Sequence, residues 1–278
     1  MRGMFTAGVL DALWGKVAPE AIVATSAGAL FGCNWKSGQP GRVIRYNKRW
    51  ARDWRYCSLA SWLLTGNLFG AKFCYDTLPK KLDKFDTETF AKNPVRFFLT
   101  ATDIDSGAGV LHECRDGGEE DLRWMRAGAS MPLVSRPVEI AGRKYLDGGI
   151  TDAIPLASAE KLGCTRFFVV LTQPAGYRKT TGGEAKWVAR LMGKRHPALA
   201  EAMQRRADMY NAQAALVAAA EAEGKAFVVR PETSLGISRT ERHPDELQRV
   251  YDLGLAAGEK SLPALRAWLE ETAPPADA

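Results

Sequence analysis

The run Ala21-Ile22-Val23-Ala24-Thr25-Ser26-Ala27-Gly28 constrains this chain most. Its first four residues are apolar, and Ile22 and Val23 are β-branched, as in a buried strand. Over residues 27–36 the pattern becomes that of an amphipathic helix. The change of period falls on Thr25 and Ser26, which puts the serine on a sharp strand-to-helix turn. Such a turn is crowded, and Ala24, Ala27 and Gly28 are small enough to fit around it. A serine held there projects its hydroxyl, and the helix start offers N–H groups and a dipole to an oxyanion. A second reading stands beside this one, because serine is also a common helix N-cap.

A second segment lies far along the chain. Arg143-Lys144-Tyr145-Leu146 reads as a short strand that ends at Asp147, and Gly148-Gly149 lets the chain turn tightly beside the carboxylate. Alone, this is an ordinary turn aspartate. Paired with Ser26, it is a candidate base that needs no histidine.

Three regions together resemble the patatin-like phospholipases, most closely a bacterial subgroup. Arg2-Gly3-Met4-Phe5-Thr6-Ala7-Gly8 is similar to the end of the family's glycine-rich oxyanion loop. Thr25-Ser26-Ala27-Gly28 is similar to its nucleophile elbow. Arg126 to Pro132, then Tyr145 to Pro155, are similar to the segment around the catalytic aspartate. Leu247, Tyr251 and Gly254 also fall at the subgroup's spacing.

The resemblance implies a lipid acyl hydrolase of phospholipase A or lysophospholipase type. Ser26 would be nucleophile and Asp147 general base, with an acyl-enzyme intermediate. Arg2, Gly3, Ala24, Ala27, Gly28, Gly148 and Gly149 would form the oxyanion hole and its motifs. The implied substrate is a phospholipid or other fatty-acyl ester, with no cofactor and no metal.

Two departures qualify this. Ala24 stands where the elbow has its first glycine. The family also places a strand and three glycines ahead of Arg2, and this sequence holds none of them. The expectation is that Met1 is an internal methionine with the first strand missing. The runner-up reading is a catalytically impaired lipid-binding relative.

Strands alternate with helices throughout. The expected fold is therefore α/β, a patatin-like three-layer sandwich whose mostly parallel central sheet is covered by helices on both faces. The catalytic core is expected over 1–175. A helix-rich extension with one further strand is expected over 176–270, including separate helices at 244–258 and 262–271. A disordered tail is expected over 271–278.

The five cysteines are scattered, with no metal-ligand spacing and no disulfide framework, which fits a reduced cytoplasmic setting. No apolar run reaches the ~18 residues of a membrane span. The net charge of +6 suits an anionic partner, and no nucleic-acid-binding motif accompanies it. Residues 42–55 carry arginines at helical spacing beside Trp50 and Trp54. That stripe is either a solvated face or a peripheral contact with anionic membrane.

His196 and His243 formally complete the order serine, acid, histidine. Both adjoin prolines in loop-like context, and a histidine triad is the lesser reading.

Overall fold

The computed structural model describes residues 1–271. The tail expected over 271–278 lies, beyond Glu271, outside the described residues. In chain order the helices and strands are α1 (Gly3–Leu13), β1 (Ala21–Ala24), α2 (Ala27–Lys36), α3 (Arg42–Trp50) and α4 (Leu59–Thr65). A wide helical segment, Phe73–Leu82, leads to α5 (Thr87–Lys92), β2 (Arg96–Asp103), β3 (Gly109–Cys114), α6 (Glu119–Gly128), β4 (Val138–Ile140) and β5 (Arg143–Asp147). Then come α7 (Leu156–Lys161), β6 (Phe167–Val170), α8 (Gly183–Met192), α9 (Pro197–Ala222), β7 (Ala226–Val229) and α10 (Pro244–Glu271).

β2 is the axis of the larger sheet. It is buried from Phe97 onward, as a central strand must be. β1 runs parallel to its first half, from Ala21 opposite Arg96 to Ala24 opposite Leu99. β5 runs antiparallel to its second half, with Asp147 opposite Ala101. β3 pairs along the other edge, antiparallel, and β4 closes against β5.

The α/β class stands, but the pairing is mixed rather than mostly parallel. Among the described residues, only β1 with β2 and β6 with β7 are parallel. Short connections set two of the antiparallel pairs, β2 with β3 and β4 with β5, because a tight turn can join only antiparallel neighbours. β4 and β5 are linked through Ala141 and Gly142 at φ 48° and 75°, a two-residue turn suited to the twist of a hairpin.

β6 and β7 form a separate sheet whose faces continue those of the first. Ile22, Phe168 and Val170 pack on one core with α1 and α10. Val23, Val169 and Val228 pack on another, beside α7 and α9. Helices thus cover both faces, giving the three expected layers. Between β1 and β6 lies a cleft of about 1140 Å³ that reaches Ser26. Among the described residues, no strand joins the two sheets.

The last helix is one continuous element with Pro263 inside it, not two helices. α10 crosses α1 so closely that a Cβ on Gly254 would overlap the Phe5 carbonyl, and one on Gly8 would overlap that of Tyr251. Tyr251 also donates its hydroxyl to Asp11 Oδ2 at 2.8 Å.

The basic stripe is mostly occupied within the fold. Arg42 is buried and bonded to Asn34, Arg45 forks onto Asp83, and Trp50 packs edge-on against Phe73. A cluster of exposed apolar side chains lies instead on and before α4, where Trp54, Leu59, Leu63 and Leu64 are 51–73% exposed, and Trp187 and Leu191 on α8 are exposed as well. No helix among the described residues is long and apolar enough to cross a membrane.

Candidate active site

The register along β2 builds the site. β1 arrives from one end and stops at Leu99, while β5 arrives from the other and stops at Ala101. Both use the same edge of β2, so their C-terminal ends meet. Ser26, two residues past β1, therefore faces Asp147 at the end of β5.

Ser26 has φ 54° and ψ −123°, a backbone state that a non-glycine residue keeps only when its surroundings hold it. Thr25 supplies that hold. Its Oγ1 donates to the Asp152 carbonyl at 2.9 Å and pairs with Thr100 Oγ1 at 2.8 Å. The Ser26 hydroxyl makes no capping bond to α2 and donates to Asp147 Oδ2 at 2.6 Å. By contrast, Ser58 does cap its helix, accepting from the Ser61 N–H at 2.9 Å.

Asp147 is 1% exposed. Its two oxygens serve the two readings of the sequence separately. Oδ1 accepts the Gly149 N–H at 2.7 Å, as a turn aspartate would, and Oδ2 takes Ser26. The main chain is fixed as well, with the Asp147 N–H on the Ser130 carbonyl and its own carbonyl accepting from Thr102 Oγ1. Burial pushes its pKa up, opposed by the Ser26 bond, the Gly149 N–H and the positive charge of Arg206. A carboxylate raised in this way is a stronger base than a free one.

Two helix starts converge on the pair. Ala27 opens α2, so its N–H has no acceptor within the helix. The Gly28 N–H instead closes the turn onto the Thr25 carbonyl at 2.9 Å. α1 begins at Gly3, where a Cβ would lie 2.7 Å from the Phe31 ring and 2.9 Å from Ala27 Cβ. Only glycine lets the first turn of α1 rest on that of α2.

Arg2, Gly3, Ala24, Ser26, Ala27, Gly28, Asp147 and Gly149 all line the one cleft. Gly148 does not. It is pressed against β2, where a Cβ would overlap Thr100. The Gly149 N–H is occupied by Asp147, so these two glycines shape the turn rather than offer free donors.

Other polar side chains of the chain have partners of their own. Ser130 donates its hydroxyl to the Arg126 carbonyl. Asp103 organises its own turn through Asp105 and Ser106. His196 pairs with Asp105, and His112 stacks on Trp124. No histidine among the described residues lines the cleft. Folding does bring ligand atoms of His112, Cys114 and Asp121 within 4.8 Å of one another, which the sequence spacing did not signal. Asp121 Oδ2 already accepts three main-chain N–H groups, from Arg115, Asp116 and Gly117.

Residues 1–160 match the family model described as patatin-like phospholipase. The chain belongs to the patatin-like phospholipase family. A second model, a domain of unknown function (DUF6363), matches residues 196–270. Among curated relatives, the uncharacterized protein YjjU of Escherichia coli is 30% identical over 192 residues, covering 63% of this chain and 50% of that protein. Lysophospholipase NTE1 of Candida glabrata is 27% identical over 175 residues, covering 61% of this chain and 10% of that protein. Its counterpart in Saccharomyces cerevisiae is 25% identical over the same length. The chain thus spans half of the bacterial relative and a tenth of the yeast ones.

Sequence reasoning missed the second ring of this patatin-like site. Arg206 Nε donates to the Gly149 carbonyl at 2.9 Å. Gln213 accepts from the Ala153 and Ile154 N–H groups and donates to Asp152. A signal was present. Arg206, Tyr210 and Gln213 recur at i, i+4 and i+7 on an alanine-rich helix, one polar face turned inward.

Proposed function

We propose that this protein hydrolyses carboxylic ester bonds of lipids, as a phospholipase A or lysophospholipase, through a Ser26–Asp147 dyad. The supporting observation is the Ser26 hydroxyl. It sits at a helix start, leaves the helix uncapped, and is bonded to a buried carboxylate at 2.6 Å.

In this reading the Ser26 oxygen attacks the ester carbonyl carbon while Asp147 Oδ2 takes its proton. The tetrahedral oxyanion meets the Ala27 N–H and the positive ends of α1 and α2. Collapse breaks the ester C–O bond, and Asp147 returns the proton to the leaving alcohol. Water then attacks the acyl-enzyme and gives a proton to Asp147, and fatty acid leaves as Ser26 is re-protonated. The wall of the cleft near β1 and β6, including Ile22, Phe168 and Val170, suits an acyl chain.

Peripheral contact with a bilayer fits α4 better than the arginine stripe. Leu59, Leu63 and Leu64 stand exposed beside Trp54, an apolar patch with an interfacial aromatic. Co-sedimentation with anionic vesicles should fall about tenfold in a Leu63→Gln, Leu64→Gln double variant. Unchanged sedimentation removes that contact.

The decisive test of the chemistry is labelling by a fluorophosphonate probe together with fatty-acid release from a lysophospholipid. Both should occur and both should vanish in Ser26→Ala. Absence of both from folded protein would leave the catalytically impaired lipid-binding relative.

A further inference from the structure

The cleft beside Asp147 carries more positive charge than its own fold neutralises. Lys179, Arg206 and Arg239 line it together with Arg2, and Glu184 is the acid that answers them. Glu184 Oε2 lies 3.1 Å from Arg206 Nη1 and 3.5 Å from Arg239 Nη1, so one carboxylate is shared by two guanidinium groups. Asp147, another acid of the cleft, is one whose ionisation burial opposes.

Lys179 is held in place without being neutralised. Asn211 on α9 clamps its main chain from both sides, at 2.8 Å and 2.9 Å. Its ammonium lies over the Tyr210 ring, 5.1 Å from the centroid, rather than on a carboxylate. Burial pushes its pKa down to about 8, and Arg206, Arg239 and Arg2 add to that. Arg206 is 13% exposed, and one of its terminal nitrogens meets only the Met131 sulfur, a weak acceptor. Like charges gathered in a partly desolvated cleft oppose one another unless an anion enters.

We propose that Lys179, Arg206 and Arg239 form a subsite for a phosphate carried by the substrate's alcohol, and that this subsite selects net-anionic over zwitterionic head groups. The inference rests on the hydrolytic reading of Ser26 and Asp147. Phosphate suits the donors, since guanidinium binds its oxygens in a fork and ammonium binds as a point charge. Arg206 reaches both the Gly149 carbonyl and this cluster, so a phosphate here would lie near the dyad. A choline-type ammonium finds no free acid, because Glu184 is already shared by the arginines. Arg206 stands on α9, Lys179 on the loop between β6 and α8, and Arg239 on the loop between β7 and α10; Arg206 and Arg239 fall in the region that matches a domain of unknown function. That region would then be a specificity element.

The test compares lysophosphatidylglycerol, lysophosphatidylcholine and monoacylglycerol of one acyl chain in neutral detergent micelles, using full-length protein. Lysophosphatidylglycerol should lead lysophosphatidylcholine in kcat/KM by about tenfold. Lys179→Met and Arg239→Gln should each shrink that lead, chiefly through KM, and Lys179→Arg should restore it. An equal loss on all three substrates, or no change in the ratio, overturns the subsite. Glycerol 3-phosphate should inhibit more tightly than inorganic phosphate. Equal inhibition would mean a free-anion site and overturn the head-group assignment. Should no ester be hydrolysed, binding of Ser26→Ala protein to lysophosphatidylglycerol micelles separates the two ideas. Binding lost on Lys179→Met keeps the subsite while the hydrolase reading fails, and Lys179-independent binding sinks the subsite as well.

Discussion

Ser26 and Asp147 are 121 positions apart in the chain and 2.6 Å apart in space. Neither side chain could find the other through local structure. β2 brings them together by accepting β1 and β5 in succession along one edge. Its length between Leu99 and Ala101 sets the spacing of the two strand ends.

The backbone of Ser26 separates a catalytic role from a structural one. Ser26→Ala should lower kcat/KM by about 10⁴-fold or more, since the nucleophile is lost while binding groups remain. It keeps the strained φ. Ser26→Gly should be equally inactive yet more stable than Ser26→Ala by about 1 kcal/mol, because glycine accepts positive φ freely. Denaturant titration of the two variants checks this, and equal midpoints would mean that the turn is unstrained.

The raised pKa of Asp147 makes a prediction about stability. Its folded pKa lies above its unfolded one, so the folded state holds the proton more tightly. This contribution to stability is complete below the unfolded carboxylate value and is lost as pH rises through the folded value. Asp147→Asn removes the loss. The variant should be inactive, with a Tm advantage over wild type that is absent in acid and grows as pH rises through the raised value. A pH-independent difference would show that the carboxylate ionises as easily in the fold as outside it.

The same carboxylate should set a limb in the rate profile. Activity needs Asp147 ionised, so kcat/KM should climb with pH along a limb displaced above the ordinary carboxylate range. Arg206 holds that pKa down by its charge. Arg206→Gln should move the limb to higher pH, whereas a purely structural role would lower the plateau without moving it. The pH profile of a soluble ester substrate distinguishes these outcomes.

The crossing of α1 and α10 should be intolerant of a single methyl. Gly254→Ala would force two helix backbones apart and should cost about 3 kcal/mol, at the upper end for overpacking. Gly182, with open space around its Cβ position, should accept alanine with little change. Paired urea titrations measure both.

Much of the site was legible locally. A strand that turns into a helix through small residues marks Ser26, and a strand that ends on a double glycine marks Asp147, because both patterns are set by near neighbours. Even so, local pattern left each with two roles. For Ser26 the choice between a helix cap and a projecting hydroxyl depended on where the hydroxyl points, and for Asp147 the turn bond and the bond to Ser26 fall on different oxygens.

The sequence by itself determined the α/β alternation, the two turns that carry Ser26 and Asp147, and the apolar strands that form the core. Only the tertiary structure decided the mixed pairing of the sheet, the burial that raises Asp147, and the cationic ring of Lys179, Arg206 and Arg239. The reason is physical. Periodicity and turn chemistry are short-range properties of a few adjacent residues. Strand register, desolvation and charge clustering depend on groups that meet only after the chain has closed on itself.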